Sequence, residues 1–257
     1  PVKGGAGAAF WPFRQTVAGN ETAADRADRL FVAINQSLRA IENEQIEGVD
    51  SLAENAFEAA DTIAEALAAA GLEVAPGGEA DEAVGGPLLP VDAGRAFEAR
   101  VRELDEALEK LETVKAAARA MPIHNPAPGA SVSSSFGVRR DPIVRTPAMH
   151  AGIDFRAAPG TAIRAAGAGT VIRAGWNGGY GRMVEIDHGS GLTTRYAHMS
   201  RIRTREGQRI ETGDIVGEVG SSGRSTGPHL HYEVRRNGAA VDPLRFLKVG
   251  RKIAGLL

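Results

Sequence analysis

Apolar side chains in the first half of this chain recur at helical spacing. Leu30, Ile34, Leu38, Ile41, Ile46, Val49, Leu52, Phe57, Ile63 and Leu67 follow one another mostly at steps of three and four, the period of one helix face. Asn20 or Thr22 can cap the start and Gly71 stops the run, which predicts one long amphipathic helix or two joined near Gly48. From Asp92 onward, Phe97, Val101, Leu104, Leu108, Leu111, Val114 and Ala118 keep steps of four and three, a coiled-coil-like seam. Between the two stretches, Pro76-Gly77-Gly78, Gly85-Gly86-Pro87 and Pro90 mark residues 72–91 as a loop. The helical stretches are expected to fold back as an antiparallel hairpin, acting as a spacer or as an arm that binds a partner.

The period changes after Met121-Pro122, where Pro126, Pro128 and Gly129 form a linker. Short alternating or β-branched runs separated by glycines predict strands at 162–165, 169–174, 182–188, 192–198, 209–210, 215–219 and 229–234. Gly189-Ser190-Gly191 turns one hairpin, and Asp242-Pro243-Leu244 closes the set. The expected fold class is α+β and multidomain. A poorly ordered arm (1–19) leads to a helical hairpin (20–121), followed by a mainly antiparallel β domain (122–257).

Composition narrows the possibilities. At 257 residues, 43% apolar and 24% charged, the chain has room for one large or two modest globular domains. It has no run near the ~18 apolar residues of a membrane span. The absence of cysteine removes thiolate metal sites, iron–sulfur clusters and cysteine nucleophiles, so any metal must be held by His, Asp or Glu. The net charge of −2 conceals a division: residues 1–121 carry −11 and residues 122–257 carry +9. An acidic arm of that size can dock on a basic domain and cover its groove, an inhibited state that salt would weaken. Arg201, Arg203, Arg205 and Arg209 have no aromatic platform or recognition helix beside them, so no nucleic acid partner is expected. The chain opens at Pro1 without Met, which admits an anchor or targeting segment ahead of it.

Five of the six histidines lie in the second half. His150 and Asp154 stand four apart, an even spacing that puts both on one side of an extended segment. His229 and His231 are two apart and share a strand face, with bases about 6–7 Å apart. His198 falls at the end of a predicted strand, on the face of Tyr196. Two neutral imidazoles, one carboxylate and an open position make a catalytic zinc site. The single carboxylate leaves such a site at +1, enough to draw the pKa of bound water toward neutrality. Two further imidazoles can then handle the proton and the developing oxyanion. His188 alternates with Val184 and Ile186 and reads as a structural histidine, while His124 sits in the linker. The glycine-rich stretch 217–227 lacks the Gly-Lys pair of a phosphate loop and reads as a groove wall, with Ser225 and Thr226 as substrate contacts.

From Ser134-Ser135-Phe136-Gly137-Val138-Arg139 to Asp242-Pro243, the chain resembles the LytM/lysostaphin-type zinc metallopeptidases, which cut the peptide part of bacterial peptidoglycan. The pieces that carry the resemblance are His150-Ala151-Gly152-Ile153-Asp154, Gly179-Tyr180-Gly181, Tyr196-Ala197-His198 and the stretch from Gly223 to His229-Leu230-His231. The resemblance implies one Zn²⁺ on His150, Asp154 and His231, with His198 and His229 as the catalytic pair. It implies a two-sheet, largely antiparallel fold with the metal in a groove. It implies peptidoglycan as partner, most simply the D-Ala to diaminopimelate cross-link rather than a glycine bridge, and a periplasmic or envelope location. Where lysostaphin-like members carry an oxyanion-holding tyrosine ahead of the first histidine, this chain has Val144 and Arg145, so that role is assigned to neither. Members that serve only to activate other hydrolases have lost zinc ligands, whereas all five positions are kept here. The rival expectation is a scaffold whose helical hairpin recruits an envelope or division protein.

Overall fold

A computed structural model of the chain describes residues 22–72, 93–140 and 145–257. The expected arm over 1–19 and nearly all of the 72–91 loop lie outside the described residues. Helix α1 runs Ala23–Ala69 and α2 runs Ala93–Ala120. Thr22 and Asp25 open α1 with a reciprocal cap: the Asp25 N–H donates to Thr22 Oγ1 at 3.2 Å and the Thr22 N–H to Asp25 Oδ2 at 2.9 Å. The chain divides into two compact units after Gly48, rather than at the expected boundary near 121. In the first unit the described residues are helical and their apolar stripe, Leu30, Ile34, Leu38 and Ile41, is about half exposed.

The second unit begins at Val49, and there the hairpin expectation needs correction. Arg100 Nε lies 3.4 Å from Asp50 and Lys110 Nζ lies 2.7 Å from Asp61. Ala53 and Ala56 pack with Ala107 and Leu104, and further on Ile63 and Leu67 share a core with Val114 and Ala118. Partner numbers climb together along both helices, so α1 and α2 run parallel, not antiparallel. Periodicity fixes which face packs but not the direction. The 20 residues between Leu72 and Ala93 can span up to ~66 Å, more than the ~30 Å from Ala69 back to Asp50 along the helix.

The helix ends are continuous with the β structure. Ile63, Leu67, Val114, Ala118 and Ile123 belong to the same buried cluster as Ile153, Ile163, Val184, Tyr196, Leu230 and Tyr232. The Arg119 carbonyl accepts from Thr212 Oγ1 at 2.9 Å, and the Arg119 guanidinium donates to the Leu257 carbonyl at 2.8 Å. A domain boundary at 121/122 therefore cuts through one core.

The strands are β1 Ser131–Ser134, β2 Gly137–Arg140, β3 Pro147–His150, β4 Ile153–Arg156, β5 Ala162–Arg164, β6 Gly169–Trp176, β7 Arg182–Gly189, β8 Leu192–Ile202, β9 Arg209–Ile210, β10 Ile215–Val219, β11 His229–Arg236 and β12 Ala239–Val241. One antiparallel sheet has the order β1-β4-β11-β8-β7-β6-β9, with β12 on β11 and β10 bridging β5 and β8. A separate ribbon pairs β2 with β3. The strands read from sequence are all present, and β1 to β4 and β12 are additional. Asp242 does more than close the sheet: its Oδ1 accepts from the Leu244 N–H at 3.0 Å and caps helix α3, Pro243–Ile253, with proline in the first turn.

Candidate metal centre

Strand β11 lies between β4 and β8 at the centre of the large sheet, and alternation along it divides the chemistry from the core. His231 stands opposite Asp154 on β4 and Ala197 on β8, whereas Tyr232 stands opposite Ile153 and Tyr196. The even-numbered set is fully buried, and the Tyr196 hydroxyl accepts from the Ala166 N–H at 2.9 Å and from Thr194 Oγ1 at 3.0 Å. The odd-numbered set (His229, His231, Glu233) faces a groove of about 320 Å³ that is also lined by Arg139, His150, Asp154, Tyr180, His198, Ser225 and Thr226.

His150 and Asp154 reach the site differently from the single extended segment expected. His150 ends β3 of the ribbon and Asp154 is the second residue of β4 of the sheet, with the chain changing course at Ala151-Gly152. Gly152 is required by space: a Cβ there would lie 2.3 Å from the Tyr232 carbonyl oxygen and 3.0 Å from His231 Cε1. His198 also departs from expectation. Strict alternation would send it to the core with Tyr196, but β8 carries one extra residue between the pairs Val184↔Tyr196 and Arg182↔Met199. This bulge, with His198 at φ 60°, turns the imidazole to the groove side instead.

Each of the four groove imidazoles has one nitrogen tied. His150 Nδ1 donates to the Ser135 carbonyl at 2.7 Å, and His231 Nε2 donates to Glu233 Oε1 at 3.1 Å. His198 Nδ1 donates to the Ser222 carbonyl and His229 Nδ1 to the Gly227 carbonyl, both at 2.8 Å. A neutral imidazole has one N–H and one lone pair, so these contacts set the tautomers. His150 Nε2, His231 Nδ1 and Asp154 Oδ1 are then three acceptors converging at 2.8–3.1 Å. Three lone pairs cannot face one another at that distance without a proton or a cation among them. Ligand atoms bonded tetrahedrally at about 2.0–2.1 Å stand about 3.3 Å apart, so the triangle is of zinc size. These three residues form the one candidate metal cluster among the described residues.

The charges show how a proton serves where a cation fits. Burial pushes the His231 imidazole down, but Asp154 and Glu233 outweigh it and raise it to about 9. Burial would lift the Asp154 carboxyl, yet hydrogen bonds from His150 and His231 hold it well below the usual range. Burial, joined by the neighbouring His229 and His231 and only partly opposed by the Ser222 carbonyl and Asp154, moves His198 down to about 4, so it is neutral at pH 7.

Glu233 was not singled out from sequence. It is fully buried, yet accepts from His231, from the Tyr180 hydroxyl at 2.8 Å and from Arg235 Nη1 at 2.7 Å, with Arg195 at 3.8 Å. These donors outweigh its burial and hold its carboxyl at about 2. The signal for it is the i+2 step from His231, which puts a carboxylate on the same strand face. Tyr180 follows from the Gly179-Tyr180-Gly181 turn. Gly181, at φ 65°, lets the 222–223 backbone approach so closely that a Cβ would meet Ser222 at 2.4 Å. Ser225 and Thr226 line the groove, and Ser225 Oγ donates to the Gly227 carbonyl at 2.8 Å, bracing the turn that carries His229. His188 is held by the Ala168 carbonyl and Thr194, as a structural residue should be. His124 does not line the groove.

Residues 148–243 match the model of peptidase family M23. Over 113 residues the chain is 49% identical to "DD-carboxypeptidase/endopeptidase Mpg" of Neisseria meningitidis serogroup B, covering 44% of this chain and 26% of that protein. It is 41% identical over 113 residues to "Peptidoglycan DD-endopeptidase ShyC" of Vibrio cholerae, covering 44% and 26%. Among solved structures, the catalytic domain of lysostaphin from Staphylococcus simulans is 31% identical, with 49% of this chain and 98% of that one covered and a TM-score of 0.45. The chain thus spans about a quarter of the length of the curated relatives it matches.

Proposed function

We propose that the protein, whose residues 148–243 match the model of peptidase family M23, is a zinc-dependent endopeptidase that hydrolyses peptide cross-links of bacterial peptidoglycan. The observation that carries the proposal is the triangle of three acceptors at the floor of a groove, flanked by two imidazoles of fixed tautomer. His150, Asp154 and His231 would hold one Zn²⁺, each through the atom that its tethered partner leaves free. When bound, zinc supplies Lewis acidity toward the scissile carbonyl and toward the attacking water.

The chain's own residues supply the proton handling. His198 and His229 spend Nδ1–H on backbone carbonyls, so each presents a lone pair at Nε2. Their rings are 4.8 Å apart, close enough to flank one tetrahedral carbon. One imidazole takes the proton of the attacking water at Nε2 and returns it to the leaving amine. The other, once protonated, donates to the developing oxyanion. His198, neutral at pH 7, suits the base. The names of the relatives support a D,D bond, and the D-Ala to diaminopimelate cross-link fits that description. A periplasmic or envelope location goes with that substrate.

The test is mass spectrometry of fragments released from purified peptidoglycan by the zinc-loaded chain, with His198→Ala as control. Release by the parent alone, with equal zinc content in both, is expected. Release by neither would remove the proposal. A second reading, recruitment of an envelope or division protein, is favoured by the exposed stripe Leu30, Ile34, Leu38 and Ile41. Charging that stripe (Leu38→Glu) should abolish co-purification of a partner from envelope extracts without changing peptide release. An unchanged set of co-purifying proteins would exclude this reading.

A further inference from the structure

Arg139 lines the groove within ion-pair range of the Asp154 carboxylate, a place that proton handling does not explain. On β2 exposure alternates, with Val138 and Arg140 outward and Arg139 half-buried. The ribbon pairs Gly137 with His150 and Arg139 with Ala148, so one two-stranded element delivers both a ligand histidine and this guanidinium. Arg139 Nη2 lies 3.5 Å from Asp154 Oδ2, the oxygen turned away from His150 Nε2 and His231 Nδ1. Its Nε is buried without a hydrogen-bond acceptor. A guanidinium has five N–H donors in a planar fork built for carboxylates, and at Arg139 the Nε–H is left without a partner among the described residues.

We propose that Arg139 reads a free carboxylate on the carbon that bears the scissile nitrogen. This rests on the peptidoglycan reading above and deepens it by naming the substrate class. In a D-Ala to diaminopimelate cross-link the amine side carries such a carboxylate, with its oxygens about 3 Å from the scissile nitrogen. In a glycine bridge the same place holds a neutral amide. A cation that sits one carboxylate's width from the ligand cluster is placed to meet that anion once the carbonyl lies over the metal position. Bidentate pairing there would orient the leaving amine toward His198 and His229 and discriminate against peptides that continue as an amide chain.

The experiment uses two synthetic peptides that differ only in whether this carboxylate is free or a primary amide, together with pentaglycine, and the zinc-loaded full chain. The parent is expected to prefer the acid over the amide by at least about tenfold in kcat/KM, the worth of a charge-assisted pair. Arg139→Gln should bring that ratio to near one with unchanged zinc content, and Arg139→Lys should restore part of it. Calorimetric binding of the uncleaved peptides to His198→Ala, with and without Arg139→Gln, should show the same ratio at equilibrium. Equal parental rates on acid and amide, or good cleavage of pentaglycine, would overturn the inference while leaving a peptidoglycan peptidase in place. A ratio kept by Arg139→Gln, or zinc lost from it, would also overturn it, the latter by making Arg139 a support for Asp154. If the parent cuts no peptide and no peptidoglycan, the functional reading fails and this inference with it.

Discussion

Glu233→Gln isolates the contribution of a buried carboxylate that touches no metal position itself. Oε1 of Glu233 accepts from His231 Nε2 at 3.1 Å and from the Tyr180 hydroxyl at 2.8 Å, while Oε2 faces Arg235 at 2.7 Å and Arg195 at 3.8 Å. All its neighbours are donors. An amide has acceptor capacity at one end only, so its NH₂ must face either His231 and Tyr180 or the two arginines. The first orientation frees His231 to adopt the wrong tautomer, and the second leaves a buried guanidinium partly unpaired. Loss of such an outer partner typically weakens a metal site 10–100-fold, about 1.4–2.8 kcal/mol. We expect about 30-fold weaker zinc binding by competition with a chromogenic chelator, and a lower melting temperature of the metal-free chain. Glu185→Gln is the control: it removes the Arg195 partner at 2.9 Å and leaves His231 untouched. A zinc affinity of Glu233→Gln within about threefold of the parent would refute the idea that this carboxylate orients His231.

Further outcomes follow from the same geometry. Zinc must displace the proton that Asp154 and Glu233 hold on His231, whose pKa is raised to about 9, so uptake should release a proton and apparent affinity should climb with pH until about 9 and then level; a flat profile from pH 7 to 9 would count against that proton. Gly152→Ala puts a Cβ 2.3 Å from the Tyr232 carbonyl and should cost at least about 2 kcal/mol in urea unfolding as well as zinc affinity; parental values for both would show that the strand can yield. Removing residues 1–121 strips Ile63, Leu67, Val114 and Ala118 from the shared core, each large one worth about 1.5–3 kcal/mol, so fragment 122–257 should melt lower than 49–257 by calorimetry. Equal melting temperatures would restore the boundary near 121. If the acidic half restrains the basic half, turnover of the full chain should rise between low salt and about 0.5 M, and no rise would exclude that restraint.

How far the chain could be read in advance depended on what kind of information each feature needs. The seven expected strands alternate or carry β-branched residues, and the structure has them within two residues except for β8, which runs on to Ile202 rather than ending at His198. Strands β1 to β4 are four residues each, too short for alternation to rise above chance, and they are held by their pairing: β4 on β11, β1 on β4, and β2 with β3. Helix α3 carries its signals, Asp242 and Pro243, but in sequence they read only as the close of the strands, because nothing local shows the core that its apolar face covers. The convergence of His150, Asp154 and His231 was implied by the family resemblance, although His150 and Asp154 arrive from two different sheets rather than from one strand. The orientation of His198 was not, since a bulge reverses faces without a signature in residue type. Helix direction was hidden for a similar reason, because a seam of threes and fours reads identically from either end.

That direction has a mechanical consequence. Leu67 and Ala118, each near the C-terminal end of its own helix, are both embedded in the core beneath the sheet. An antiparallel pair would hang from that core by one helix, and tension on its free end would unzip the two one turn at a time. Two parallel rods rooted at the same end instead divide an axial load between two attachments and meet it in shear, so that several buried contacts must give way together. Tension on the helices would thus reach the sheet through this shared core, with the groove on the opposite face of β11.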